Sequence, residues 1–311
     1  MPRPWRCVTA HWRSGRKTPG KGRKYGTFLP VAEQQGRFRP VDTEKLGIKS
    51  HHAEIDTTVA HSARVYDYWL GGKDNFEPDR LVADRMIRAV PDIQPLVRRN
   101  REFIQRAVRY FVGEQGIDQI IDIGTGIPTS PAVHQVAREI NPDVRVAYVD
   151  NDPIVLAHDR ALLSREEGVV TFLGDLMEPE TVLDDPGLRE LIDFDRPVAV
   201  IFAAVIHFIP DEQDPLGMLA KYRARLAPGS GIAISQVSTT RRTPEQVAEF
   251  VGNYNTTTPL IFRTDEEIRA LFAGFELVEP GVVAVHTWRQ DSDDAPTEGG
   301  DWGSAGVGML R

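Results

Sequence analysis

The chain has 311 residues, 41% of them hydrophobic and 26% charged, enough apolar content for a large core that need not exceed one domain with additions. A formal net charge of -8 gives no general attraction to nucleic acid or anionic lipid, and no apolar run approaches the roughly 20 residues that cross a bilayer. The single cysteine, Cys7, excludes an internal disulfide framework.

Residues 1–50 carry Arg3, Arg6, Arg13, Arg16, Lys17, Lys21, Arg23 and Lys24 with no acid before Glu33, and Pro and Gly interrupt every candidate helix. This basic extension reads as disordered, and without an apolar signal-peptide core the expected location is cytoplasmic. Residues 51–115 read as a helical section. Val59, Ala63, Tyr66 and Leu70 share one face of a helix over 59–70 that Gly71-Gly72 stops. A polar turn, Lys73 to Pro78, leads to a second helix over 79–89, which ends before Pro91. A third, over 94–112, buries Leu96, Phe103, Ala107 and Phe111.

Strands then alternate with helices from 116 to 290. Gln119 to Ile123 is the first strand, Val144 to Val149 the second, and the run from Val169 towards Asp175 the third. Pro197 to Ala204 is a fourth that feeds Val205 to Asp211. A helix over 214–226 turns at Pro228-Gly229 into a fifth strand, Gly231 to Gln236, and a further helix covers 243–254. Thr264 caps a helix through Phe272, with Glu267 completing a capping box. Phe275 to Val278 and Val282 to Trp288 suit a closing hairpin, antiparallel at the sheet edge, which brings the strands to seven. Residues 291–311, acidic and Gly-rich, read as a disordered tail.

The chemistry concentrates at the first turn, Asp122-Ile123-Gly124-Thr125-Gly126-Ile127-Pro128-Thr129. Glycine at 124 and 126 permits a sharp turn and a close approach of ligand to backbone, and the next helix offers unpaired N–H groups. Asp150, ending the second strand, can accept both hydroxyls of a ribose. NAD enzymes share this much, but the position of the third glycine in the dinucleotide fingerprint is Thr129, preceded by Pro128. Asp122 would repel a diphosphate and could pair with an amino-acid ammonium. The pattern therefore favours S-adenosyl-L-methionine over NAD(P), with an oxidoreductase as the alternative enzyme class. A non-catalytic S-adenosylmethionine-binding module is the alternative outside enzymes. No Cys/His cluster has metal-ligand spacing.

The segment His61-Ser62-Ala63-Arg64-Val65-Tyr66-Asp67-Tyr68-Trp69-Leu70-Gly71-Gly72-Lys73-Asp74-Asn75-Phe76 is followed by Asp84-Arg85, Arg98-Arg99-Asn100-Arg101, the glycine turn, and Tyr148-Val149-Asp150-Asn151-Asp152-Pro153. In that order these motifs resemble the actinobacterial S-adenosylmethionine-dependent methyltransferase family once classed as a domain of unknown function, over roughly residues 54 to 289. The resemblance implies a Rossmann-like class I methyltransferase fold, α/β with a mostly parallel seven-stranded sheet. It also implies cofactor binding by Gly124, Gly126, Asp150 and Asp175, and it implies no substrate. In methyltransferases of this architecture an acid at the end of the third strand reaches the adenine amino group while the next apolar side chain packs on the ring, roles open to Asp175 and Leu176. The helices ahead of the first strand act as a lid, and the fourth strand ends beside the reactive methyl.

The expected activity is in-line methyl transfer to an unidentified, small-molecule acceptor, with neither membrane nor nucleic acid as a partner. Asp122, Gly124, Gly126, Asp150, Asn151, Asp175, Leu176 and Ala204 are the candidate cofactor residues. His207, placed after the fourth strand, is the candidate ionisable group at the transfer site, with Tyr68 and His61 as further catalytic candidates. Arg64, Tyr66, Lys73 and Asn75 are assigned to the lid or the acceptor. Arg64 could equally bridge to Asp67, and Tyr66, on the more apolar side, could be core.

Overall fold

The protein, described here from a computed structural model, is laid out over residues 56–163, 166–254, 256, 258–290 and 302–311. The basic extension 1–50 and residues 291–301 of the expected tail lie outside the described residues. Three helices come first: α1 (Ser62–Leu70), α2 (Glu77–Ala89) and α3 (Ile93–Arg109), the last continuing through a π turn, Tyr110–Glu114. Then follow β1 (Gln119–Ile123), α4 (Val133–Arg138), β2 (Arg145–Asp150), α5 (Pro153–Leu163), β3 (Val169–Leu173), α6 (Pro179–Leu183), α7 (Pro186–Leu191) and β4 (Ala199–Ala203). The chain continues with α8 (Pro215–Arg223), β5 (Gly231–Val237), α9 (Pro244–Asn253), α10 (Asp265–Ala270), β6 (Glu276–Leu277), β7 (Val283–Ala284) and β8 (Gly303–Met309).

The sheet order is β3-β2-β1-β4-β5-β8-β6, with β7 also paired to β8. The first five strands run parallel and β8 runs antiparallel to β5. Strands β1, β4 and β5 are almost wholly buried because both faces are covered, so apolar residues occupy both faces rather than alternating, with polar residues of β1 and β5 confined to Gln119, Asp122, Ser235 and Gln236. The two-residue period still sorts their side chains. Ile120, Val146, Ile201 and Ala233 pack with Phe103 and Phe111 beneath the N-terminal helices. Ile121, Val149, Phe202 and Ile234 pack with Leu188, Leu219 and Tyr222 on the opposite face.

Two expectations are corrected at the C-terminal edge. Residues 302–311 are not a disordered tail: Gly303 to Met309 form β8, paired with β5 from Gly231↔Met309 to Val237↔Gly303. The glycines that resemble a flexible tail are there for space. A Cβ on Gly306 would come within 3.2 Å of Phe272, and one on Gly308 within 2.8 Å of the Phe275 Cβ. Nor do the segments around 276 and 283 pair with each other as a hairpin. Both pair with β8, as two halves of one edge separated at Glu279-Pro280-Gly281, which raises the strand count to eight.

Candidate active site

The strand ends position the site. Gly124 adopts φ +70°, and a Cβ there would lie 2.5 Å from Val205 Cγ2, so the first turn packs directly against the exit of β4. Gly126, at φ +66°, faces open space, and its N–H donates to Asp150 Oδ2 at 2.8 Å. Asp150 also accepts from Asp152 N at 2.9 Å, and burial raises its pKa above the usual carboxylate value despite these two bonds. Asp122, 4% exposed, accepts from Thr125 Oγ1 at 3.2 Å. Burial lifts its pKa to about 6, opposed by the nearby Arg101 guanidinium. Ala204 takes a left-handed conformation, φ 55°, at the end of β4, and its N–H is held by Ser235 O and Oγ.

The N-terminal helices roof this floor. His61 caps α1, and the helix ends in a Schellman closure, with Gly71 N donating to Tyr68 O at 3.0 Å and Gly72 N to Asp67 O at 2.9 Å. A Cβ on Gly72 would come within 1.9 Å of Asp67 Oδ1. Between roof and floor runs a cavity of about 220 Å³. Its walls include His61, Tyr66, Asp122, Gly124, Gly126, Asp150, Asn151, Leu176, Ala204 and His207, which the fold therefore brings together from five separate stretches of sequence.

Five expected site residues are not on that wall. Arg64 is buried and spent on Asp79, Nε to Oδ2 at 3.0 Å, and on Val59 O at 2.6 Å; it meets neither Asp67 nor the cavity. Tyr68 faces α2 and donates to Asp84 Oδ1 at 3.0 Å. Lys73 is exposed. Asn75 is buried but structural, donating to Asp67 Oδ2 at 2.9 Å and Gly72 O at 3.1 Å. Asp175 is exposed and accepts from Met177 N at 2.9 Å, a turn cap beside Gly174 and Leu176, which do line the cavity.

Two candidates have settings the sequence did not show. His61 is on the wall, with Nδ1 3.1 Å from Asp152 Oδ2 and near Asp150. His207 is on the wall, in a 3-10 turn over 206–208, but burial and then the Arg263 charge depress its pKa to about 3. Its ring is neutral at ordinary pH, which corrects the expectation of a group titrating in the useful range.

The structure also adds wall residues to which the sequence reading gave no site role. Asn100 and Arg101, on α3, line the wall. Tyr66 Oη donates to Val97 O at 3.1 Å and accepts from Asn100 Nδ2 at 3.0 Å, and Ser235 Oγ donates to Asn100 Oδ1. This buried chain ties α1 and α3 to β5 and, through Ser235, to Ala204. Gln236, Phe250 and Tyr254 complete the wall below β5 and α9. The Arg-Arg-Asn-Arg run at 98–101 was the only sequence signal for any of these.

The residues fit S-adenosylmethionine. Two buried carboxylates, Asp122 and Asp150, retain acceptor capacity beyond their present bonds, and Gly126 leaves space where a Cβ would stand. A family described as S-adenosyl methyltransferase matches residues 48–311. The chain belongs to this family. Its match reaches the last residue and so includes β8, beyond the 289 at which the motif resemblance ended. A crystal structure of a candidate methyltransferase from Thermobifida fusca is 39% identical, with 82% of this chain and 96% of that one covered and a TM-score of 0.77. A DUF574 family protein from Streptomyces avermitilis is likewise 39% identical, with 82% and 99% covered and a TM-score of 0.78. No curated protein matches the chain. The enzyme is thus an S-adenosylmethionine-dependent methyltransferase with a Rossmann-like fold. Among the described residues no helix is long and apolar enough to cross a membrane, and no group of His, Cys, Asp or Glu is arranged to hold a metal ion.

Proposed function

We propose that the enzyme methylates a small molecule held in the part of the cavity between β4, β5, α1 and α9, with S-adenosylmethionine along the ends of β1 and β2. The observation that carries this reading is the continuity of one cavity from Asp122 and Asp150 to Ser235, Phe250 and Tyr254, roofed by α1 and α3. The roof supports the reading of the N-terminal helices as a lid and favours a compact acceptor over a protein or nucleic-acid surface, in keeping with the acidic net charge.

S-adenosylmethionine supplies a methyl group on a positively charged sulfur. The chain supplies position. Asp150 would accept the ribose hydroxyls, with Asn151 beside it, and Leu176 would pack on the adenine. Asp122 would take the ammonium, and Arg101 stands near Asp122 to receive the carboxylate. At the β4 end, Ala204, Val205 and His207 bound the space that the acceptor must occupy. Holding nucleophile and methyl in line can supply about 7 to 11 kcal/mol of barrier reduction, so a strong base is not required.

Calorimetry with S-adenosylmethionine, S-adenosylhomocysteine and NADH tests the cofactor side: the first two should bind and NADH should not. A small-molecule acceptor library with methyl-tritiated S-adenosylmethionine tests the acceptor side. Methylation of only protein or RNA in a cell extract would overturn the small-molecule reading.

A further inference from the structure

Four side chains on the cavity wall hold a buried polar atom with no partner among the described residues: Thr129 Oγ1 after the glycine turn, and Gln236 Nε2, His207 Nδ1 and Thr258 Oγ1 at the other end. Gln236 is 3% exposed and His207 6%. Leaving such groups unsatisfied costs about 1 to 3 kcal/mol each, so a position that retains them points to a ligand that completes them.

The orientation of Gln236 is fixed by its neighbour. Arg263, itself 4% exposed, donates from Nη1 to Gln236 Oε1 at 3.3 Å. A guanidinium has donors only, so the amide must turn its oxygen to Arg263 and its NH2 away. The same Nη1 lies 3.4 Å from Ile206 O, and Nη2 donates to Ile209 O at 2.8 Å. One buried guanidinium therefore braces both the amide and the turn that carries His207. The two wall groups are neighbours on a common support.

No charged side chain lines this end of the cavity: Arg263 stands behind Gln236, paired with Asp211 Oδ1 at 2.6 Å. The wall residues with formal charge are Asp67, Arg101, Asp122 and Asp150. The last three cluster at β1 and β2, and Asp67 is engaged by Asp74 N at 3.0 Å and Asn75 Nδ2 at 2.9 Å. Around Gln236 and His207 stand Phe208, Phe250, Tyr254 and Leu260.

We propose that Gln236 and His207 form the recognition pair for the acceptor, and that the acceptor is a neutral, largely apolar ring compound with a carbonyl oxygen next to its nucleophilic hydroxyl. Gln236 Nε2 donates to the carbonyl, and the imidazole of His207 accepts from the hydroxyl. Gln236 is a specificity residue and Arg263 the positioning residue behind it. This assignment rests on the methyltransferase site described above and deepens it.

The test uses the full chain saturated with S-adenosylhomocysteine and four probes: 2-hydroxyacetophenone, phenol, 2-methoxyacetophenone and salicylate. Binding is read by ligand-observed NMR and calorimetry. The hydroxy ketone should bind about tenfold or more tighter than phenol, the methoxy ketone or the charged salicylate. Gln236→Leu should abolish the margin over phenol. Gln236→Glu, which keeps an oxygen for Arg263 but presents no amide donor, should do the same if the leucine variant fails to fold. Equal binding of hydroxy ketone and phenol, preference for salicylate, no binding of the hydroxy ketone at millimolar concentration, or a margin that survives both substitutions would overturn the assignment. The S-adenosylhomocysteine titration separates the two levels. If it does not bind, the cofactor site itself is wrong; if it binds and the ketone preference is missing, only the recognition pair fails.

Discussion

Arg64 and Asp79 form a buried ion pair that holds the first two helices together: Arg64 Nε lies 3.0 Å from Asp79 Oδ2, with the side chains 4% and 0% exposed. Asp79 also accepts from His61 N at 2.9 Å and Phe76 N at 2.8 Å, so one carboxylate fixes the starts of both α1 and α2. Asp79→Ala leaves the guanidinium buried and unpaired, and should destabilise the fold by about 3 to 5 kcal/mol. Arg64→Met should cost less, because two N–H donors still serve Asp79. Urea denaturation of the two variants checks the ranking.

Asp150→Ala should weaken S-adenosylhomocysteine binding roughly ten- to a hundredfold, the value of a charge-assisted bond of about 1.5 to 3 kcal/mol. Asp150→Asn should lose less. Because Asp150 also holds Gly126 N, the alanine variant should show faster amide exchange at Gly126 even without ligand. Unchanged affinity by calorimetry in a folded variant would remove Asp150 from the site.

The two glycines of the turn should fail differently. Gly124→Ala adds a Cβ 2.5 Å from Val205 Cγ2 to the cost of a left-handed alanine, about 1 to 2 kcal/mol, and should lower the melting temperature sharply, with partial rescue by Val205→Ala. Gly126→Ala meets no atom within 4 Å and should remain folded, yet lose cofactor affinity because its methyl enters the ligand's space. Thermal melts paired with calorimetry separate these outcomes.

Asp122 should make cofactor binding depend on pH. Its folded pKa, about 6, lies above the usual 3.8, so its protonated form is favoured by folding. The stability it contributes is present below about 4 and is lost as pH rises towards 6, whereas the carboxylate that an ammonium needs appears over that interval. Relative to Asp122→Asn, the wild type should lose stability between pH 4 and 7 while gaining S-adenosylmethionine affinity. Parallel curves for the two proteins would contradict this.

Truncation after residue 301 should prevent folding, because it removes β8 from between β5 and the β6/β7 edge. Tyr68→Phe, by contrast, should leave cofactor affinity within about twofold, since its hydroxyl serves Asp84 rather than the cavity. Circular dichroism of the truncated chain and calorimetry of the point variant check the pair.

What the sequence determined by itself is what neighbouring residues decide. The β1 span, the left-handed glycines of the first turn, the stop at Gly71-Gly72 and the Thr264/Glu267 capping box all rest on local backbone geometry and short-range bonds, and each stands where the residues placed it. The order of strands and helices was legible for the same reason. The tertiary structure decided which side chains turn inward. Tyr66 and Tyr68 are two positions apart, about 200° around a helix, so only the packing of α1 on α3 selects the one that lines the cavity. It decided that Arg64 answers Asp79, fifteen residues away, and that Ser235 answers Asn100 across 135. It also turned a Gly-rich terminus into β8, because the ring of Phe272 and the Cβ of Phe275 leave room only for glycine beside them, a volume constraint set by residues distant in sequence.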